Sequence, residues 1–536
     1  MCTCGQVGRS LLGSIAAIGL TALPSGAADR ISTFFGPLQF SLSIESLEQF
    51  AANGKVTDEL AIYARQISPE QFTQFRAMLQ QRLPVDAVLV SQVTYSRLGV
   101  AVLRQLGEVV QTGPAQNGFY ALRAALILAA ADREGLTLLN LVRQFPAESL
   151  RIDLAQALKL SQTLTEPSQT QKTMLAVVRQ QAAIDLAQTP VDVSQLPDLQ
   201  QPGPEPWRKQ GLMVQAREGD RSFPVDLYLP QTSSQQSIPL IVILHGLAED
   251  RISFDYLAKH LASYGFAVAL PENPDNSSQR FRQFFRGQAP EPDARAILHQ
   301  PQDVTRLLNE LHQRVQTDRE LARLNFQRVG VVGHSQGGLS ALLLAGAPID
   351  INQLRQVCQP SQGINFARLS QCQLLEFQPE GAKLRDRRIA AILPISPFVG
   401  SLLSRDSVNQ IPVPVMMVAA ENDLVTPPGS EQIRPFSWLT TPDRHLLLID
   451  NATHLSPLTE GSFSFVDIPV PASWVGPEPQ RVRAYLRAFS VAFFQTHLAN
   501  QAAYRSYLSA AYAQALGQTP LNLSLVRSVA LPASQR

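Results

Sequence analysis

Charge is scarce in this chain. Charged residues make up 17% of its 536 residues, below the ~25% common in soluble proteins. The 45 Lys and Arg against 44 Asp and Glu leave a net charge of +1. That balance argues against nucleic acid or an acidic partner, and no run of one sign marks a charged tail. Cysteine is scarcer still, with four residues. No G-x-x-x-x-G-K-[ST], H-E-x-x-H or C-x-x-C occurs, so no nucleotide, zinc or redox site is expected, and neither a cofactor nor a metal.

What is present is apolar. Hydrophobic residues are 45% of the chain, enough for a large core, and the length suggests two to four domains. Arg9 precedes an apolar run from Leu11 to Leu23, followed by Gly26, Ala27 and Ala28. A basic start, a short apolar stretch and small residues form the pattern of a secretory signal peptide, with cleavage expected after Ala28. The run falls short of the ~20 residues of a membrane span. Retention as an N-terminal anchor is the competing reading. Export would remove Cys2 and Cys4 and leave Cys358 and Cys372 in an oxidising compartment, where the pair is a disulfide candidate.

From Ser41 to about Gln188 apolar residues recur three and four apart, as at Leu42, Leu47 and Phe50, which reads as a helical domain spanning 29–188. No acid, base and nucleophile cluster there. Residues 189–206, TPVDVSQLPDLQQPGPEP, read as a linker. Then the pattern changes. GLMVQAR and FPVDLYLP read as paired strands around the turn EGDRS. PLIVIL, GFAVAL, VGVV, IAAILPIS, VPVMMVAA and RHLLLID read as further strands, several apolar throughout as in strands buried on both faces. Helical stretches lie between them. The fold class expected for 207–516 is therefore α/β, a mostly parallel doubly wound sheet with flanking helices. Residues 517–536 read as a C-terminal tail.

The stretch VVGHSQGG at Val331–Gly338 places Ser335 between a buried strand and a helix, the context a G-x-S-x-G elbow requires. Such a turn exposes the hydroxyl above the sheet and sets it at a helix N-terminus. A serine nucleophile needs a base and an orienting acid, which follow it in this order of elements. Asp423 in AAENDLVTP and His454 in NATHLSP each lie just past a strand. His454 is the expected base and Asp423 the expected acid. Glu421 and Asp450 also lie near strand ends, Asp450 being the fallback acid. His334, His445 and His245 read as supporting or structural. The backbone N–H groups of Leu247, in ILHGLAED, and Gln336 are the expected oxyanion-hole donors.

From Trp207 to about Ala499 the chain resembles the α/β-hydrolase superfamily, on ILHGLAED, VVGHSQGG, AAENDLVTP and NATHLSP. Within it, HGLAEDR, the GHS elbow with its Gly-Gly and QPQDVTRLLNEL look closest to the platelet-activating-factor acetylhydrolase and dienelactone-hydrolase branch. The helical region from Ala28 to about Leu160 is similar to a domain of unknown function in cyanobacterial exported hydrolases. The resemblance implies hydrolysis of a carboxylic ester through an acyl-enzyme, with a lipid or phospholipid ester as one substrate class. A serine departs from dienelactone hydrolases proper, whose nucleophile is cysteine. Two insertions are candidate caps. One, 348–388, carries Cys358 and Cys372. The other, 271–292, carries SQRFRQFFRG, whose Phe281, Phe284 and Phe285 with Arg280, Arg282 and Arg286 would meet an amphiphilic substrate or a membrane surface, or else pack on the sheet edge. A catalytically silent fold that binds a partner through the helical domain, and a peptidase or acyltransferase with the same triad, are the alternatives. The sequence leaves the oligomeric state open.

Overall fold

The computed structural model describes residues 28–532 apart from 36–37, 66–67, 114, 166–168, 216–221, 233–235, 360–364, 378–383 and 463–469. The signal-peptide segment and most of the EGDRS turn lie outside the described residues. Contacts divide the chain into two compact units, one of residues 1–90 and 103–158, the other of residues 91–102 and 159–536.

The first unit is mainly helical, but it is not all-helical as expected. It holds a five-stranded sheet made of β1 (Arg30–Phe35), β2 (Leu38–Ser43), β3 (Val110–Thr112), β4 (Gln116–Asn117) and β5 (Ser149–Ile152), in the order β2-β1-β5-β3-β4. β1 pairs in parallel with β5, and Thr33 Oγ1 donates to Ile152 O at 2.9 Å. Residues so far apart in sequence leave no local signal of pairing. Around the sheet, helices such as Ile44–Asn53 bury Leu47 and Phe50 with Leu60 and Leu79.

The second unit is built on nine strands: β6 (Trp207–Val214), β7 (Phe223–Pro230), β8 (Ile238–Leu244), β9 (Ala267–Pro271), β10 (Leu324–His334), β11 (Ile389–Ile395), β12 (Val415–Ala420), β13 (Arg444–Ile449) and β14 (Leu523–Val526). Their order is β14-β13-β12-β11-β10-β8-β9-β7-β6. The six from β8 to β13 pair in parallel, whereas the β6–β7 hairpin and β14 run antiparallel at the edges. The apolar runs follow from burial on both faces. In β8, Leu240, Val242 and Leu244 join one core, while Ile241 and Ile243 join the other. β12 and β13 divide their side chains the same way.

Two boundaries differ from expectation. Helix Gln169–Gln188 belongs to the second unit, since Met174, Leu175 and Val178 pack into the core beneath the sheet. The expected tail contributes β14, whose Leu523–Val526 pair with Ile449–Leu446 of β13. Among the described residues no helix is long and apolar enough to cross a membrane.

Candidate active site

The parallel strands end on a common edge, and the loops leaving it carry the expected site residues. β10 ends at His334, Ser335 takes φ 53° and ψ −117°, and helix Gln336–Ala345 begins at once. Positive φ strains a residue with a Cβ, by ~1–3 kcal/mol. Ala248, Ser396 and Asn451, at the ends of β8, β11 and β13, share it. Four of the seven described non-glycine residues with positive φ thus follow these strands. Tight packing holds the elbow closed: a Cβ on Gly333 would lie 2.0 Å from Gly337 O. Ser335 N donates to Ile395 O at 2.9 Å, and its own carbonyl accepts Phe398 N–H at 3.2 Å.

Asp423 and His454 come together. His454 Nδ1 lies 2.7 Å from Asp423 Oδ2, which leaves Nε2 as the nitrogen able to take a proton from a hydroxyl. Four donors fix the buried carboxylate. Val425 N and Thr426 N donate to Oδ1 at 2.9 and 2.7 Å, and Thr426 Oγ1 donates to Oδ2 at 2.8 Å beside the imidazole. Burial pushes the Asp423 carboxyl up, but the His454 charge and these donors outweigh it and hold it below its ordinary value. Burial pulls the His454 imidazole down, but the Asp423 charge and hydrogen bond, with Glu249 further off, carry it above its ordinary value.

The rival acids are engaged elsewhere. Arg179 Nη2, from helix Gln169–Gln188, lies 2.6 Å from Glu421 Oε1 and 2.7 Å from Asp450 Oδ1. Glu421 also accepts Asn451 N–H at 2.9 Å. His445 is buried in strand β13, where burial first and then the neighbouring charges of His497, Arg527 and Arg505 lower it to about 3.

The loop after β8 holds the other expected donor. Gly246 N donates to Glu249 Oε2 at 2.8 Å and Ala248 N to Asn276 O at 2.7 Å. The Leu247 N–H between them takes no part in these bonds. Gln336 is the first residue of its helix, where N–H groups lack intrahelical acceptors. His245 Nε2 accepts Asn273 N–H at 2.9 Å, and its Nδ1 lies 2.9 Å from Gly246 O.

The two insertions buttress these loops. Residues 273–278 support the β8 loop through Asn273, through Asn276 and through Ser278 N to Glu249 O at 2.9 Å. In helix Ser278–Phe285, Phe284 is buried, and the Phe285 ring lies tilted against those of Phe281 and Phe284, 5.9 and 5.2 Å between centroids. Phe281 and Phe285 are half-buried. In 348–388 a Cys358–Cys372 disulfide is present. The next residue back, Gln371, donates to Glu431 Oε2 at 3.1 Å and accepts Ser401 N–H at 2.8 Å. Glu431 in turn accepts Val399 N–H and Gly400 N–H at 2.7 and 2.6 Å. Burial raises its carboxyl despite those donors.

Sequence reasoning passed over Glu249, Thr426 and Glu431. Only Glu249 and Thr426 lie within motifs already quoted, ILHGLAED and AAENDLVTP, and spacing gave no reason to single them out.

The sheet order, the strand-to-helix elbow and the acid and histidine on successive strand ends define an α/β-hydrolase fold. A family model described as an alpha/beta hydrolase of unknown function (DUF1400) matches residues 27–153, and one described as a putative esterase matches residues 217–348. The chain is similar to a bis(hydroxyethyl) terephthalate hydrolase of Streptomyces coelicolor, 25% identical over 237 residues. The match covers 44% of this chain and 56% of that protein.

Proposed function

We propose that this protein is an exported serine hydrolase of carboxylic esters. The observation that carries the reading is the buried Asp423–His454 pair set beside the Ser335 elbow. Ser335 Oγ attacks the ester carbonyl while His454 Nε2 takes its proton, and the C–O bond to the alcohol then breaks as His454 returns that proton to the leaving oxygen. Water, deprotonated by the same nitrogen, cleaves the acyl-enzyme. The Leu247 and Gln336 N–H groups stabilise the oxyanion, and one such donor contributes ~3 kcal/mol in comparable sites. The putative-esterase match and the terephthalate-ester hydrolase support an ester as substrate. Lipid or phospholipid esters are a further substrate class proposed here, with peripheral contact to a membrane surface, and export rests on the N-terminal segment.

The test is turnover of p-nitrophenyl esters from acetyl to palmitoyl by protein lacking residues 1–28. Activity should disappear in Ser335→Ala, and its chain-length optimum separates short-acyl esters from lipids. A folded protein that is silent across the series and ignores fluorophosphonates would overturn the reading and favour a non-catalytic binding role.

A further inference from the structure

A second buried carboxylate and imidazole lie beside the first pair. His334, the residue before Ser335, places Nδ1 2.7 Å from Glu249 Oε1 and Nε2 3.1 Å from His454 O. Its ring lies 4.7 Å, centroid to centroid, from that of His454 and 5.6 Å from Phe254. His334 is fully buried and Glu249 is 3% exposed. The other oxygen of Glu249 accepts Gly246 N–H at 2.8 Å. A Cβ on Gly246 would lie 2.5 Å from Glu249 Oε1 and 2.9 Å from Ser335 Cβ. The carboxylate and the nucleophile therefore both crowd the space where a Gly246 side chain would stand.

The proton count follows from these partners. A carbonyl oxygen only accepts, so Nε2 facing His454 O carries a hydrogen. Glu249 Oε2 already accepts from Gly246, so one further proton lies between Oε1 and Nδ1. Burial pushes the Glu249 carboxyl up, but the His334 charge and hydrogen bond, the Gly246 N–H and His245 hold it below its ordinary value.

We propose that Glu249 and His334 form a non-reacting ion pair that positions the oxyanion loop and the His454 loop around Ser335. One carboxylate oxygen fixes Gly246, next to the Leu247 donor. The imidazolium fixes the backbone of His454 and sets a positive charge at the residue before the nucleophile. Glu249 and His334 are positioning residues, and their effect on turnover rests on the esterase reading above, whereas the ion pair does not.

Two measurements on the full chain test this. With ring-15N histidine, His334, assigned by its loss in His334→Gln, should show two ring N–H protons at neutral pH, and a single ring proton overturns the ion pair. Glu249→Gln and His334→Gln should lower kcat per fluorophosphonate-titrated site about tenfold to a hundredfold, the range found when groups orienting a reactive centre are removed, with KM changed little. Unchanged kcat per titrated site overturns the positioning role. If the wild type neither turns over esters nor reacts with fluorophosphonate, the esterase reading and the positioning role it underlies both fail, and the ring-proton count still decides the pair.

Discussion

Asp423 accepts three hydrogen bonds within its own buried turn and faces the imidazole with the same oxygen that the Thr426 hydroxyl holds. It acts on His454 through charge and orientation, so the pH dependence of the reaction should report it. His454 titrates above its ordinary value, about 6.5 for histidine. Because the base works unprotonated, the acid limb of kcat/KM should lie above that figure. Asp423→Asn removes the attraction that raises the imidazole, so the limb should move to lower pH while kcat falls about 10⁴-fold, as when a triad acid is neutralised. A limb that stays in place after the substitution would show that another group supplies the charge.

At the scale of elements, the disulfide links helix Ile351–Val357, capped by Cys358, to helix Phe366–Cys372 across a sequence separation of 14. Gln371 then reaches Ser401 N–H and Glu431, and Phe398 N–H reaches the Ser335 carbonyl. Closing a loop of that length stabilises by about 3 kcal/mol in the chain-entropy account. Cys358→Ser with Cys372→Ser should therefore lower the unfolding free energy by about that amount in urea titrations, and adding reductant should affect the wild type but not the variant. The elements most legible in the sequence were those with local causes. Apolar runs gave β8, β12 and β13 because both faces are buried, and the glycines around Ser335 gave the elbow because backbone passes too close for a side chain. The first-unit sheet was not legible, since β3 and β4 are two or three residues long and β1 finds β5 across more than a hundred residues. Helix Gln169–Gln188 reads as one more helix in a helical run, so its place in the second unit was hidden as well. Within the site, chain order pointed to Asp423 and His454, but the Glu249–His334 contact depends on three loops meeting and has no spacing to read.

For the molecule as a whole, Arg179 shows how a segment ahead of the expected linker completes the second unit. It neutralises Glu421 and Asp450, the two carboxylates nearest the acid and base loops. The side chain is 38% exposed, so solvent screening keeps the pair closer to a surface bridge than a buried one, worth about 1 kcal/mol. Arg179→Met should cost about that much in chemical denaturation and leave Asp423 in place. A loss several times larger would mean that the helix itself detaches.

The backbone of Ser335 also sets a limit on how robust the working protein can be. A left-handed residue with a Cβ is held there by its surroundings, and glycine adopts the same angles without that penalty. Ser335→Gly should therefore melt at a higher temperature than the wild type while hydrolysing nothing, a gain of about 1 kcal/mol. The most durable form of this molecule is then an inert one, and selection for durability alone would discard the hydroxyl first.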